Sequence, residues 1–121
     1  MYVINVLSPE VYEDCHIKGS LNVPYDRLAE FVQDLPKDTE LIVYCASYIC
    51  PMSRRAWQLL KDKGFINVRA YEGGMAQWYS QGYPFEGPGE QDYLHDQYDQ
   101  PIAHEKIATI TMDELKKKLG Y

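Results

Sequence analysis

The chain has 121 residues, of which 45% are hydrophobic and 25% charged, enough for one domain with a continuous core and too few for two. Its formal charge of −6 and the absence of a basic face exclude general nucleic-acid binding. Apolar runs such as Leu41-Ile-Val-Tyr-Cys45 are far shorter than a membrane span, which excludes a transmembrane helix. The opening residues Met1 to Val6 lack the basic start and cleavage site of a secretory signal. Three cysteines, Cys15, Cys45 and Cys50, then point to a reducing, cytoplasmic setting in which thiols are buried or chemically used. Their spacing fits no zinc pattern and no Cys-x-x-Cys redox motif, so no metal site is expected.

Residues 2–7 are β-branched and apolar and predict a buried strand. Ser8 and Pro9 suit a helix start, with a short turn over 10–14. A brief strand over 19–23 is stopped by Pro24. Leu28, Phe31, Val32 and Leu35 fall on one helical face, predicting an amphipathic helix that ends before Pro36. Residues 41–45 are wholly apolar, as in a central strand covered on both faces. A loop over 46–52 leads to a helix over 53–63, closed by Gly64. Residues 68–71 predict another strand, and Glu72-Gly73-Gly74 a turn that needs glycine dihedrals. A short helix over 75–81 ends at Gly82. Trp57 and Trp78, both on helices, are expected in the core.

This alternation predicts an α/β fold, a mainly parallel central sheet with helices on both faces in three α/β/α layers. Ligands of such sheets bind outside the carboxyl ends of the strands. Cys45 ends the central strand and stands at that position.

A strand, a cysteine, a loop and a helix together supply thiol chemistry. Backbone amides and a helix N-terminus favour the thiolate and can hold an anion beside it. The loop Ala46-Ser47-Tyr48-Ile49-Cys50 can present amides around Cys45, although Pro51 has none. Ser53 opens the following helix. Arg54 and Arg55 add positive potential if either side chain turns toward the loop. The bland alternative is a buried strand-end thiol acting as a small hydrophobe.

Several stretches carry a family resemblance. In order they are Val3-Ile-Asn-Val6, Pro9-Glu-Val-Tyr12, His16-Ile-Lys-Gly-Ser-Leu-Asn-Val-Pro24 and Leu41-Ile-Val-Tyr-Cys45. Then come Leu60-Lys-Asp-Lys-Gly-Phe-Ile-Asn-Val68, Tyr71-Glu-Gly-Gly74 and Trp78-Tyr-Ser-Gln-Gly-Tyr-Pro84. With these, residues 3–86 resemble a rhodanese-like, sulfurtransferase-fold domain. The resemblance implies that Cys45 takes up a sulfane sulfur as a persulfide and passes it to a nucleophilic acceptor. The amides of Ala46 to Cys50 would surround that persulfide and the donor anion, with Ser53, Arg54 and Arg55 beside them. The implied partners are a small sulfur donor and a thiol or protein acceptor, and no cofactor is needed.

The sequence departs from the family pattern at four places. Asn5-Val6-Leu7 replaces Asp-x-Arg, which removes an internal ion pair. Cys15 replaces the usual Gly before His16. Tyr48, Ile49 and Cys50 lengthen the loop and leave it without its usual Arg. Pro51 stands where phosphatase relatives need an Arg, which disfavours dephosphorylation. Cys50 could resolve a persulfide or sulfenic acid on Cys45 by closing a disulfide, which makes a thiol-disulfide protein the second reading. A non-catalytic binding module of the same fold is the third. His16 is expected to tie its loop by a hydrogen bond, Cys15 to be a small buried thiol, and Tyr48 either to shape substrate entry or to cover the sulfur. His95 and His104 receive no role.

Residues 87–106 are acidic and lack periodicity, and are expected to form a connector; Tyr93, Leu94 and Tyr98 could dock, but a solvated linker is the simpler expectation. The family places a strand and helix of the type Ile-Thr-x-x-Glu-Leu ahead of its Asp-x-Arg strand. Residues 107–121 resemble that piece, with a capping box of Thr111 and Glu114, a stripe of Leu115 and Leu119, and Gly120 at the close. They are expected to complete the 1–86 core, either within one chain, as in a circular permutant, or by swapping in a homodimer.

Overall fold

The structure, a computed structural model, describes residues 1–95 and 107–121. Tyr98 and His104, together with the rest of the second half of the expected connector, lie outside the described residues. The elements are β1 (Tyr2–Asn5), α1 (Pro9–Asp14), β2 (His16–Ile17), β3 (Leu21–Asn22), α2 (Tyr25–Phe31) and β4 (Leu41–Tyr44). They continue with α3 (Met52–Asp62), β5 (Val68–Tyr71), α4 (Gly74–Ser80), β6 (Phe85–Glu86), a 3₁₀ turn (Asp92–His95) and α5 (Met112–Leu119).

The main sheet runs β3-β1-β4-β5, with every pair parallel. All four residues of β4 are buried, because the strand lies between β1 and β5 and helices cover both faces. On one face Ile4, Leu41, Val43 and Ala70 pack with Leu28 of α2 and with Ala56, Trp57 and Leu60 of α3. On the other, Val3, Ile42, Tyr44 and Tyr71 pack with Met75 and Trp78 of α4 and with Leu115 of α5. The three α/β/α layers follow from this alternation of side chains along each strand. A small antiparallel pair, β2 with β6, closes one end. Both tryptophans are core residues whose indole N–H groups donate to backbone carbonyls, Trp57 to Val68 and Trp78 to Pro84.

Three local readings change. The second helix ends at Phe31 rather than before Pro36, and Gln33 and Leu35 donate to the carbonyls of Glu30 and Val32 in i→i−3 turns instead. Phe31 leaves the buried face and meets Tyr2 edge-on at 5.7 Å. Ser8 precedes α1 without a side-chain capping bond. The first part of the connector is docked rather than solvated. The Asp14 carboxylate accepts from the amides of Glu90 and Gln91 at 3.0 and 3.1 Å, and Leu94 is 1% exposed. The driving force is burial of Leu94 against α4 and the second core.

Residues beyond the connector return to the sheet. The Ala70 amide donates to the Ala108 carbonyl at 2.9 Å, and Ile110 donates back to Ala70 at 3.1 Å. This parallel bridge at Thr109 sits on the outer edge of β5, within the same chain. The capping box of α5 is formed: Thr111 Oγ1 accepts from the Glu114 amide at 3.2 Å, and Glu114 accepts from the Thr111 amide at 3.3 Å. Lys118 pairs with Glu40 at 2.7 Å and the Tyr121 hydroxyl donates to the Lys18 carbonyl at 2.8 Å, fastening the segment at its far end. Among the described residues no helix is long and apolar enough to cross a membrane.

Candidate active site

Four parallel strands end on one side, and Cys45 is the first residue after β4. Its side chain is fully buried among Ile4, Val43 and Ala56. The loop then folds over it. The Cys50 amide donates to the Ser47 carbonyl at 3.1 Å, closing a tight turn with Ile49 exposed at its tip. Ser47 is buried, and Tyr48 and Cys50 are half-buried.

The base of the loop is fastened by α4. Met75 donates to the Cys45 carbonyl at 3.0 Å and Ala76 to the Ala46 carbonyl at 2.9 Å. This close approach needs glycine at position 74, where φ is +67° and a Cβ would lie 2.7 Å from the Cys45 oxygen. Gly74→Ala is therefore expected to lower stability by roughly 2–4 kcal/mol, from strain and overlap together. Gly82 shares the positive φ, +72°, but nothing lies within 4 Å of its Cβ position. Gly82→Ala should show only the strain, about 1 kcal/mol. Denaturant titration of the two variants checks the difference, and equal losses would remove the argument from loop packing.

Arg54 turns toward the loop. Its Nη1 donates to the carbonyls of Tyr48 and Cys50, each at 3.4 Å, holding the turn from the helix side. Arg55 is exposed on the other side of α3. Of the two arginines only Arg54 adds charge to the loop.

The sulfurs of Cys45 and Cys50 are neighbours. The Cys45 thiol donates to the Cys50 carbonyl at 3.4 Å and lies beside the Cys50 sulfur. That interaction, followed by burial, raises the Cys45 thiol well above its usual range, although Ser53 pulls the other way. The same contact, against burial and aided by the amides of Ala46 and Met52 and the charge of Arg54, lowers Cys50 to about 6. The contact between the sulfurs, with the amides of Ala46 and Met52 and the Arg54 charge, thus favours a thiolate at Cys50 over one at Cys45. The amides around the loop are divided between the sulfurs: those of Ala46 and Met52 favour the Cys50 thiolate, that of Ser53 favours the Cys45 thiolate, and the Cys50 amide is taken by the Ser47 carbonyl. The Ser53 hydroxyl, 1% exposed, has no full hydrogen-bond partner and faces Cys45 closely enough to favour its thiolate.

A cavity of about 290 Å³ opens next to the loop. Tyr48 and Gln77 line one side of it and Thr109 to Asp113 the other. Tyr48 is a wall residue here, tied to Gln77, which also accepts from the Tyr71 hydroxyl at 2.8 Å. Nothing in the spacing of Gln77 or of the 109–113 stretch marked them for this place.

Other singled-out residues have structural duties. His16 Nδ1 lies 2.8 Å from the Tyr12 carbonyl, and its ring stacks on Tyr12 at 3.8 Å. Cys15 is buried beside Asp14, and burial pushes its thiol up to about 12. Asn5, fully buried where the family has an acid, accepts from the Leu7 amide at 2.9 Å.

Residues 2–81 match the family described as Rhodanese-like domain. The chain belongs to the rhodanese-like family. It is 31% identical over 84 residues to the thiosulfate sulfurtransferase GlpE of Pseudomonas entomophila, covering 69% of this chain and 74% of that protein. A second match, 30% identical over 82 residues, is the HTH-type transcriptional regulator Rv0324 of Mycobacterium tuberculosis. The match covers 68% of this chain and only 36% of the regulator. Among solved structures, the Rhodanese_3-like domain of the Anabaena Alr3790 protein superposes with a TM-score of 0.64 at 30% identity, over 70% of this chain and 97% of that one. A structure described as rhodanese with anions from E. coli gives 0.59 at 25% identity, over 71% and 96%. Residues 107–121 lie outside the rhodanese-like match, although they pair with the rhodanese-like sheet.

Proposed function

We propose that this protein is a sulfurtransferase that carries sulfane sulfur as a Cys45 persulfide and delivers it to a thiol or other nucleophilic acceptor. The observation that supports this most is the placement of Cys45. It directly follows the central strand of a rhodanese-like sheet, under a loop that also holds a second thiol and is held from α3 by Arg54. A persulfide is more acidic than a thiol and is anionic near neutral pH. The unsatisfied Ser53 hydroxyl gives that anion a buried donor. Names of relatives such as thiosulfate sulfurtransferase favour thiosulfate as the first donor to test.

Residues 107–121 form part of the same domain in this reading, completing the sheet and walling the cavity. The contact between Cys45 and Cys50 also favours a second reading, a thiol-disulfide protein that uses the pair without transferring sulfur.

Turnover separates the two. With thiosulfate and a thiol acceptor, sulfur transfer predicts catalytic release of sulfite. No sulfite, with reversible closure of one disulfide by oxidants, would favour the redox reading. Neither activity would leave a binding module.

A further inference from the structure

This inference rests on the persulfide reading and assigns an order to the two thiols. We propose that sulfane sulfur enters the loop at Cys50 and is then handed to Cys45. The family position for sulfur chemistry is Cys45, yet the geometry of this loop does not present Cys45 to a donor. Its sulfur is fully buried and its thiol is spent on the Cys50 carbonyl. Cys50 is half-buried, next to the exposed tip residue Ile49. The amides of Ala46 and Met52 and the Arg54 charge converge on Cys50, so its thiolate is the one available near neutral pH. These groups also offer an anionic donor positive potential where its outer sulfur must arrive. Cys45 lies directly behind, aimed at Cys50 from the core side.

The chemistry balances without an oxidant. The Cys50 thiolate forms a bond to the outer sulfur of thiosulfate as the donor's sulfur–sulfur bond breaks, and sulfite leaves with the bonding pair. Cys45 Sγ then bonds to the outer sulfur of the Cys50 persulfide as that sulfur separates from Cys50 Sγ. The Cys45 proton passes to Cys50, and the persulfide now sits on Cys45. Both steps are sulfur transfers to a thiol, and the protein gains one sulfur atom.

The test is mass spectrometry of reduced full-length protein exposed to thiosulfate, with iodoacetamide trapping. Tryptic cleavage after Lys37 and Arg54 leaves both thiols in the 38–54 peptide, whose fragments locate the sulfur. Wild type is expected to carry it on Cys45. Cys45→Ser is expected to retain it on Cys50, and Cys45→Ala repeats the experiment if the serine variant folds poorly. Cys50→Ser should load Cys45 about tenfold or more slowly at pH 7 and recover as pH rises, because Cys45 must then ionise by itself. Wild-type loading should instead fall only as pH drops through about 6, where Cys50 protonates. A Cys45→Ser protein that takes no sulfur, beside a Cys50→Ser protein that loads like wild type, would overturn this order and leave the persulfide reading standing. Release of sulfide with closure of a Cys45–Cys50 disulfide would overturn it too, making Cys45 a resolving thiol. No sulfur on wild type would overturn the persulfide reading itself, and the order with it.

Discussion

Cys45→Ser is expected to lower sulfur transfer to an external acceptor by at least about a thousandfold while leaving the fold in place. Serine is nearly isosteric and its hydroxyl can still donate to the Cys50 carbonyl that Cys45 Sγ meets at 3.4 Å. The loop base, held by Met75 and Ala76 on the carbonyls of Cys45 and Ala46, does not depend on the side chain. What is lost is the sulfur that carries the persulfide beneath the loop. Steady-state release of sulfite from thiosulfate, read alongside a thermal melt, separates the two effects. An unchanged rate would remove Cys45 from the chemistry. A collapsed melt would show that the thiol is needed for packing.

Removing residues 107–121 is expected to cost ~4–6 kcal/mol, most of the net stability of a domain this size. Ile110 is 3% exposed and Leu115 fully buried, and each contributes about 1.5–3 kcal/mol by leaving water. The segment also supplies the backbone partners of Ala70 on the β5 edge, at 2.9 and 3.1 Å. Without it that edge is open to pairing with other chains. Leu115→Ala in the full chain is the milder form, about 2–4 kcal/mol through the cavity left on the second core. Denaturant titration of both variants checks the claim. A shortened chain unfolding at the wild-type midpoint would show that 107–121 is an appendage rather than part of the domain.

The parts of this fold that were legible in the sequence are those where neighbouring residues decide the outcome. Residues 41–44 are apolar at every position, which only a strand covered on both faces requires, and β4 is that strand. Thr111 and Glu114 satisfy each other across three residues, so the start of α5 could be read without knowing what it packs on. Gly73-Gly74 marked a turn, but its purpose, letting α4 touch the backbone of the cysteine loop, needed the third dimension.

Where partners lie far apart in the chain, the reading stopped short. Phe31, at the end of α2, meets Tyr2 from the start of the chain, and the docking of Leu94 depends on α4. Arg54 and Arg55 are adjacent in sequence, and only the path of α3 turns one of them onto the carbonyls of Tyr48 and Cys50. The division of charge between the thiols was equally hidden. A cysteine after a central strand suggests a thiolate there, yet the loop folds so that the Ala46 and Met52 amides serve Cys50. Spacing placed both thiols in one loop but could not say which would hold the proton.

The most direct measurement is the intact mass of reduced wild-type protein after exposure to thiosulfate and removal of excess donor, beside the Cys45→Ser/Cys50→Ser double variant. Wild type is expected to gain one sulfur atom that a thiol acceptor removes, while the double variant, which keeps only Cys15, gains none. A wild-type mass unchanged by thiosulfate, or an equal gain on the double variant, would contradict the assignment of sulfur transfer to this loop.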